Sequence, residues 1–391
     1  MQDTCIVYAH GNPWSGVQAR QQYLMRALAR SIPVVYLDGE EDRKLCVTRR
    51  EVEPGVTVVR GFTSTLLRLV ERRIPCAAAV WGRWHMGWLR RRYRRIVFWN
   101  AENGLRPYRF VPHDYLVFDC IDPCFSHDAA TLESFARREH EVTRAADMVF
   151  ASADLLRERC AALNPNTHLL NNACAPEEYR AELLQAAPAP VWWPKSGRPI
   201  AAYLGSLDWR MDFAALRAAV ESLPEVEFVL GGNVIPDARD AARELAAHRN
   251  VTVPGRLSVE EGRFLLAHCA VGLIPFTPEP MNDAINPVKM YAYALLGKPM
   301  AGTAVRELLA RPEVVATGRT AAEFVEAVGA ALARSRDSGH CERLRQFAMQ
   351  NTWSHRAQAA LRLLNDRADG PRPYAAPDRS GHGLGTAVGN R

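Results

Sequence analysis
A chain of 391 residues, 48% hydrophobic and 24% charged, is too long for one ordinary core, suits two domains, and by composition is neither disordered nor fibrous. The net charge of +6 is modest, and nine cysteines, an odd number without dense spacing, exclude a disulfide framework and fit a reducing compartment. No apolar run approaches the ~20 residues of a membrane span and the first eight residues lack a signal-peptide pattern, so the expectation is a cytoplasmic protein.

Short β-branched and aromatic runs alternate with longer amphipathic stretches, which predicts βαβ units feeding parallel sheets. Strands are predicted at 5–9, 34–37, 57–59, 96–99, 115–120, 148–151 and 168–170. Helices are predicted at 17–30, within 77–94, at 129–145 and from 153. Residues 1–185 therefore read as one doubly wound domain. The Pro- and Ala-rich stretch 186–199 cannot continue a helix and reads as a linker. The alternation restarts with strands at 200–204, 226–230, 251–253 and 271–275, helices at 213–223, 237–248, 259–267 and 288–296, and an extended piece at 299–303. A second α/β domain over 200–350 follows. Helical pattern returns at 321–333 and 341–365, and 351–367 reads as a closing helix. The Gly-, Pro- and Arg-rich 368–391 reads as a disordered tail.

Ligands of open parallel sheets bind beyond the carboxyl ends of the strands. In the second domain those ends are Gly205-Ser206, Gly231-Gly232-Asn233, Gly255-Arg256-Leu257 and 276–286, and three of the four carry glycine, which admits close backbone approach. In Asn286-Pro287-Val288-Lys289, Asn286 suits an N-cap and Pro287 the first helical position, leaving free N–H groups at a positive dipole end. Lys289 adds a cation where the dipole disfavours one unless an anion is near. A diphosphate would account for all three choices; a capped helix with a solvated lysine is the plainer alternative.

The blocks AAYLGSLDW (201–209) with Asp212, FVLGG (228–232), Asn250-Val251 with Gly255, VGLIPF (271–276) and NPVKMYAY (286–293) with Gly297-Lys298-Pro299 resemble the donor-binding half of GT-B glycosyltransferases. The likeness is to the family-four-like enzymes and, within them, the teichuronic-acid-biosynthesis-like group. YLVFDCID (115–122), AADMVFAS (145–152) and NTWS (351–354) with Arg356-Ala357 extend it over residues 5 to 365. The resemblance implies two Rossmann-like domains facing a cleft and a final helix crossing back to the first. It implies a nucleotide-sugar donor as substrate, with Gly205 and Ser206 offering backbone to its phosphates, Asn286, Val288 and Lys289 neutralising them, and Arg256 and Leu257 lining the base pocket. No cofactor or metal is expected; Cys120 and Cys124 lack zinc-ligand spacing and have no second pair. Three departures stand out. Ala292 occupies the position of the family's ribose-binding glutamate, leaving Glu279 or Asp283 as substitutes; 171–174 reads Asn-Asn-Ala-Cys; and paired glycines after the first strand are missing.

Acid–base candidates come from the first domain: His10 at the end of the first strand and Asp122 at the end of VFDCID, either of which could assist attack by a hydroxyl. Each has a plainer reading, as a loop or cap residue. Glu102 and Asn103 are candidates for holding the acceptor, which could be a glycan, a lipid-linked glycan or a soluble natural product. Residues 60–95 hold ten arginines against one acid, Glu71, with Trp81, Trp84, Trp88 and Tyr93 interleaved. This segment reads either as a solvated helix face or as a patch for anionic lipid on the inner face of the membrane; nothing in it reads as a nucleic-acid module. The rivals are a dinucleotide oxidoreductase, whose Gly-x-Gly-x-x-Gly is missing from 10–16, and a non-catalytic nucleotide-sugar binder, which Ala292 would suit.

Overall fold
Strand β1 (Thr4–Ala9) is buried along its whole length, as its unbroken apolar run requires. Cys5, Val7 and Ala9 enter one hydrophobic core while Ile6 and Tyr8 enter the core on the opposite face. A computed structural model describes residues 3–9, 12–16, 18–38, 47–61, 70, 74, 77–102, 111–124, 128–185 and 188–366. Around β1 lie β2 (Val34–Leu37), β3 (Thr48–Glu53), β4 (Val56–Arg60), β5 (Arg95–Asn100), β6 (Tyr115–Cys120), β7 (Met148–Ala151) and β8 (Thr167–Leu169), in the order β3-β4-β2-β1-β5-β6-β7-β8. Every pairing is parallel except that of the edge strand β3 with β4. Helices α1 (Arg20–Ala29), α2 (Ala77–Met86), α3 (Trp88–Arg92), α4 (Ala129–Ala145), α5 (Asp154–Ala161) and α6 (Ala181–Gln185) accompany this sheet.

The second sheet is β9 (Ile200–Leu204), β10 (Glu227–Gly231), β11 (Val251–Gly255), β12 (Val271–Ile274), β13 (Met300–Thr303) and β14 (Val315–Gly318), ordered β11-β10-β9-β12-β13-β14 and parallel throughout. With it go α7 (Phe213–Ser222), α8 (Arg239–Ala246), α9 (Val259–His268), α10 (Pro280–Asp283), α11 (Val288–Leu295), α12 (Arg306–Leu309), α13 (Ala321–Arg334) and α14 (Ser338–Gln350). The last helix, α15 (Trp353–Asp366), buries Trp353, Ala357, Ala360, Leu361 and Leu364, one helical stripe, with Leu24 and Leu28 of α1. It therefore crosses back to the first domain.

Several expectations are amended. The helix predicted within 77–94 breaks at Gly87, where a Cβ would lie 2.7 Å from the Arg83 carbonyl oxygen. The one predicted at 341–365 breaks into α14 and α15. Trp192 and Trp193, in the linker, are fastened to the second domain: Trp192 Nε1 donates to Glu261 Oε1 at 2.8 Å and Trp193 lies edge-on to Phe264, centroids 4.9 Å apart. The predicted tail from 368 lies outside the described residues.

The two domains are tied by a buried polar chain. Asp119, at the end of β6, takes both arms of Arg20 (2.8 and 3.3 Å), whose Nη1 also donates to Leu170 O and Asn172 Oδ1. Asn172 in turn bonds Asn286, its N–H donating to Oδ1 at 3.0 Å and its Nδ2 to the Asn286 carbonyl at 2.7 Å. Asn286 Nδ2 donates to the fully buried Glu307, which also accepts from the Asp154 N–H across the interface at 3.0 Å. Buried carboxylates met in this way fix a docking geometry, because each is costly to leave unpaired.

Candidate functional site
Strand β9 is where the second sheet reverses its order, with β10 on one side and β12 on the other. Its ladder with β12 is short, Val271 opposite Ala201 and Gly272 opposite Ala202, and the crevice expected at such a switch point lies beyond these residues, at the carboxyl ends. Gly272 leaves room for Tyr293 of α11, whose ring a Cβ would meet at 2.4 Å and whose hydroxyl donates to Ala202 O at 2.9 Å. That contact seats α11 beside the crevice.

Two glycine loops form the rim. Gly205 has φ +152 and Gly232 φ +147, and a Cβ on Gly232 would fall 1.8 Å from the Gly205 carbonyl oxygen. The loops therefore touch backbone to backbone, with Gly205 N–H donating to Gly231 O at 3.0 Å. Ser206 is exposed and its carbonyl accepts from the buried Tyr203 hydroxyl at 2.8 Å. Leu257 packs against Gly231 while Arg256 points to solvent.

Lys289 reaches into this crevice. Its Nζ lies 3.6 Å from the Tyr203 ring centroid, 5.0 Å from that of Phe276, and 3.1 Å from where a Gly205 Cβ would stand. Among the described residues it has no hydrogen-bond or ion-pair partner. The residue keeps part of its surface in solvent, yet the atoms crowding its ammonium push its pKa well below the usual lysine value; burial is the main cause and the Arg210 charge the second. The amended detail is the cap. Pro287 is the N-cap of α11 and no side chain caps it, because Asn286, the residue expected there, is engaged with Asn172, Glu307 and Tyr291. Val288 is 45% exposed, and Asn286 is a tie between domains.

Arg210 was not among the residues singled out from sequence. Asp208 grips it with two bonds, Nε to Oδ1 at 3.0 Å and Nη2 to Oδ2 at 2.5 Å. That pairing raises its pKa, with the Asp122 charge contributing. The only sequence signal was an Asp-x-Arg just after a strand end, indistinguishable from a surface ion pair. A cavity of about 400 Å³ separates the domains here, lined by Asp122 and Pro123 from the first and by Asp208, Trp209, Arg210 and Ile285 among others from the second. Asp122 thus faces the Arg210 loop across the cleft. Glu102 is half-buried and its carbonyl accepts from Asn100 Nδ2 at 2.8 Å, which fixes the backbone after β5. His10 and Asn103 lie outside the described residues. Asp283 Oδ1 accepts from Arg306 N–H at 2.7 Å, and Glu279 is exposed at the cap of α10.

No family model matches the chain. A Bacillus subtilis (strain 168) protein, named for teichuronic acid biosynthesis as the glycosyltransferase TuaH, is 24% identical over 260 residues, 62% of this chain and 64% of that protein; the match thus spans less than two thirds of the relative's length. Among solved structures, a sucrose-phosphate synthase from Thermosynechococcus elongatus is 15% identical with a TM-score of 0.67, covering 93% of this chain and 98% of its own. An E. coli trehalose-6-phosphate structure bound with UDP-2-fluoro glucose gives 12% and 0.66 over 92% and 98%. Anabaena Alr3699/HepE in complex with UDP gives 13% and 0.62 over 93% and 100%. Two facing parallel-sheet domains, a returning last helix and these likenesses lead to one conclusion: the chain has the GT-B fold, and in sequence it is similar to the teichuronic-acid-biosynthesis group within it.

Proposed function
We propose that this protein is a nucleotide-sugar-dependent glycosyltransferase that moves a sugar from its donor to a hydroxyl of a glycan acceptor in polysaccharide biosynthesis. The observation that carries the reading is the unpaired Lys289 ammonium at the β9/β12 crevice, beside the Gly205 loop and Arg210. A desolvated cation opposed by the Arg210 charge and offset only in part by Asp208 is costly, and a diphosphate supplies two negative groups at that point. Arg210 and Lys289 would hold the diphosphate, stabilising the charge that develops as it leaves. Gly231, Gly255 and Leu257 would flank the base. Asp122 would stand on the far side of the cleft, oriented to accept the proton of the attacking hydroxyl or to bind acceptor hydroxyls. The UDP-bound neighbours favour UDP as the nucleotide. Incubation with UDP-, GDP- and dTDP-sugars, with detection of released nucleoside diphosphate, tests this; no release from any of them, with or without glycan acceptor, overturns it.

Contact with an anionic membrane face is part of the proposal. No helix among the described residues is long and apolar enough to cross a membrane. On α2, Trp84 is 77% and Val80 63% exposed, beside the exposed Arg83. Arg91, Arg92 and Arg94 are exposed as well, whereas Arg90 pairs with Asp114 at 2.5 Å; Arg68, Arg72 and Arg73 lie outside the described residues. An exposed indole and valine beside arginines that have no carboxylate partner among the described residues suit headgroups carrying negative charge. Co-sedimentation with anionic but not neutral liposomes, lost as salt rises, is expected; indifference to lipid charge at low salt contradicts it.

A further inference from the structure
A second cavity, about 410 Å³, opens on the first domain away from the cleft, lined by Trp14, Thr48, Arg50, Val52, Val58 and Arg60, with Arg49 beside them. Its size is within the range of small-ligand sites. Two features set it apart from an edge strand merely blunted by arginines. One is a fixed wall. Arg60 Nε donates to the buried Asp38 at 3.0 Å and its Nη2 to Ser15 Oγ at 3.2 Å. Trp14 meets Tyr36 edge-on, centroids 5.0 Å apart, and carries on its ring the Arg26 guanidinium that Glu53 clamps. The other is the register. Arg50 stands opposite Val58 and Thr48 opposite Arg60, so alternate residues of β3 and β4 bring apolar floor and cation to one face. Arg49, on the other face, lies 5.1 Å from the Trp88 centroid. Neither Arg49 nor Arg50 has a carboxylate partner among the described residues: Asp38 pairs with Arg60, Glu53 with Arg26, and Glu51 Oε1 accepts from the Gly55 N–H.

Val52, 37% exposed, with the rims of the largely buried Trp14 and Val58, offers apolar contact to a pyranose ring, and a guanidinium without a carboxylate partner among the described residues takes an oxyanion carried by that ring. Ser15, Asp38 and Arg60 follow or close β1, β2 and β4, so the pocket reaches the carboxyl edge that also bears Asp122. In sheet order β4 and β6 are four strand spacings of ~4.8 Å apart, roughly 19 Å. A monosaccharide at the reacting centre cannot span that distance. Resting on the transferase reading, we propose that this pocket is a remote acceptor subsite for an acidic sugar residue, bearing a carboxylate or a phosphate, in a glycan of several units.

Titration calorimetry of the full chain with methyl glucuronoside, glucose 6-phosphate and methyl glucoside, each with and without UDP, tests the subsite. The expected result is that at least one acidic sugar binds ten-fold or more tighter than the neutral one at low salt and does so equally well with UDP bound. Whether the carboxylate or the phosphate ligand binds identifies the source. Arg50→Glu, on the exposed face of an edge strand, should erase the preference without lowering Tm, and Arg50→Lys should restore part of it. Absence of binding by both acidic sugars, a preference that survives Arg50→Glu, or competition with UDP each overturns the proposal. UDP binding in the same titrations stands or falls separately, so a failed subsite and a failed transferase reading give different results.

Discussion

Replacing Lys289 by methionine keeps most of the stem's volume and removes the charge. In the ligand-free protein the ammonium gains from the Tyr203 and Phe276 rings, a cation–π contribution of about 0.5–2 kcal/mol, and loses hydration, with Arg210 adding repulsion. These oppose each other, so the variant should unfold within about 1 kcal/mol of the parent. Binding is different: a charge-assisted bond to phosphate contributes about 1.5–3 kcal/mol, and losing it weakens UDP binding roughly 10- to 150-fold. Uridine, lacking the diphosphate, should bind parent and variant alike. Titration calorimetry with both ligands, beside denaturant unfolding, measures each quantity. A folded Lys289→Met protein with unchanged UDP affinity, or with equal losses for UDP and uridine, refutes the placement of the diphosphate.

Because the lysine's pKa is lowered in the free protein and a diphosphate would raise it again, binding should take up a proton. UDP affinity should then fall as pH rises through the free value, and Lys289→Arg, which keeps its charge, should flatten that fall; a pH-independent affinity in the parent would contradict it. Gly232→Ala forces a Cβ to 1.8 Å from the Gly205 oxygen and should cost about 3 kcal/mol or more, whereas at Gly255, with φ +80 but nothing within 4 Å, alanine should cost only the ~1–2 kcal/mol of its backbone conformation. Chemical denaturation compares the two, and equal costs would refute the backbone contact. Arg20→Met strands the buried Asp119 and should destabilise by about 3–5 kcal/mol, with Arg20→Met/Asp119→Leu recovering much of it; no recovery would place the cost in packing.

How much was legible in the sequence depended on whether a residue's partners were local. Parallel strands buried on both faces are short apolar runs, so β2, β6, β7 and β9 match the predicted bounds residue for residue. β3, Thr-Arg-Arg-Glu-Val-Glu, has no such run; it exists because Pro54-Gly55 turns it back on β4, and the Pro-Gly pair was its only cue. α10 and α12 are four residues each, too short for helical periodicity to register, and β14, Val-Ala-Thr-Gly, lacks the unbroken apolar run that marks β2 and β7 at the same length. At the site, glycine at three strand ends and Lys289 at a helix start were readable, since backbone rules place them. Asn286 was misjudged as a cap because its true partners, Asn172 and Glu307, are 114 and 21 residues away. Arg210 was missed for a like reason: its meaning comes from Asp122 and the cleft, not from its neighbours. The arginine-rich segment divides on folding, Arg60 to the pocket wall and Arg83, Arg91 and Arg94 to the surface, a division that charge counting could not make.

The most direct test is a crystal structure of the protein soaked with UDP. Diphosphate density is expected at the β9/β12 crevice, within hydrogen-bonding reach, about 2.7–3.2 Å, of Lys289 Nζ and the Gly205 loop, with Arg210 alongside and the β-phosphate directed toward the cleft that Asp122 lines. A nucleotide bound elsewhere, or at the crevice with Lys289 still against the Tyr203 ring and out of reach of phosphate, would contradict it.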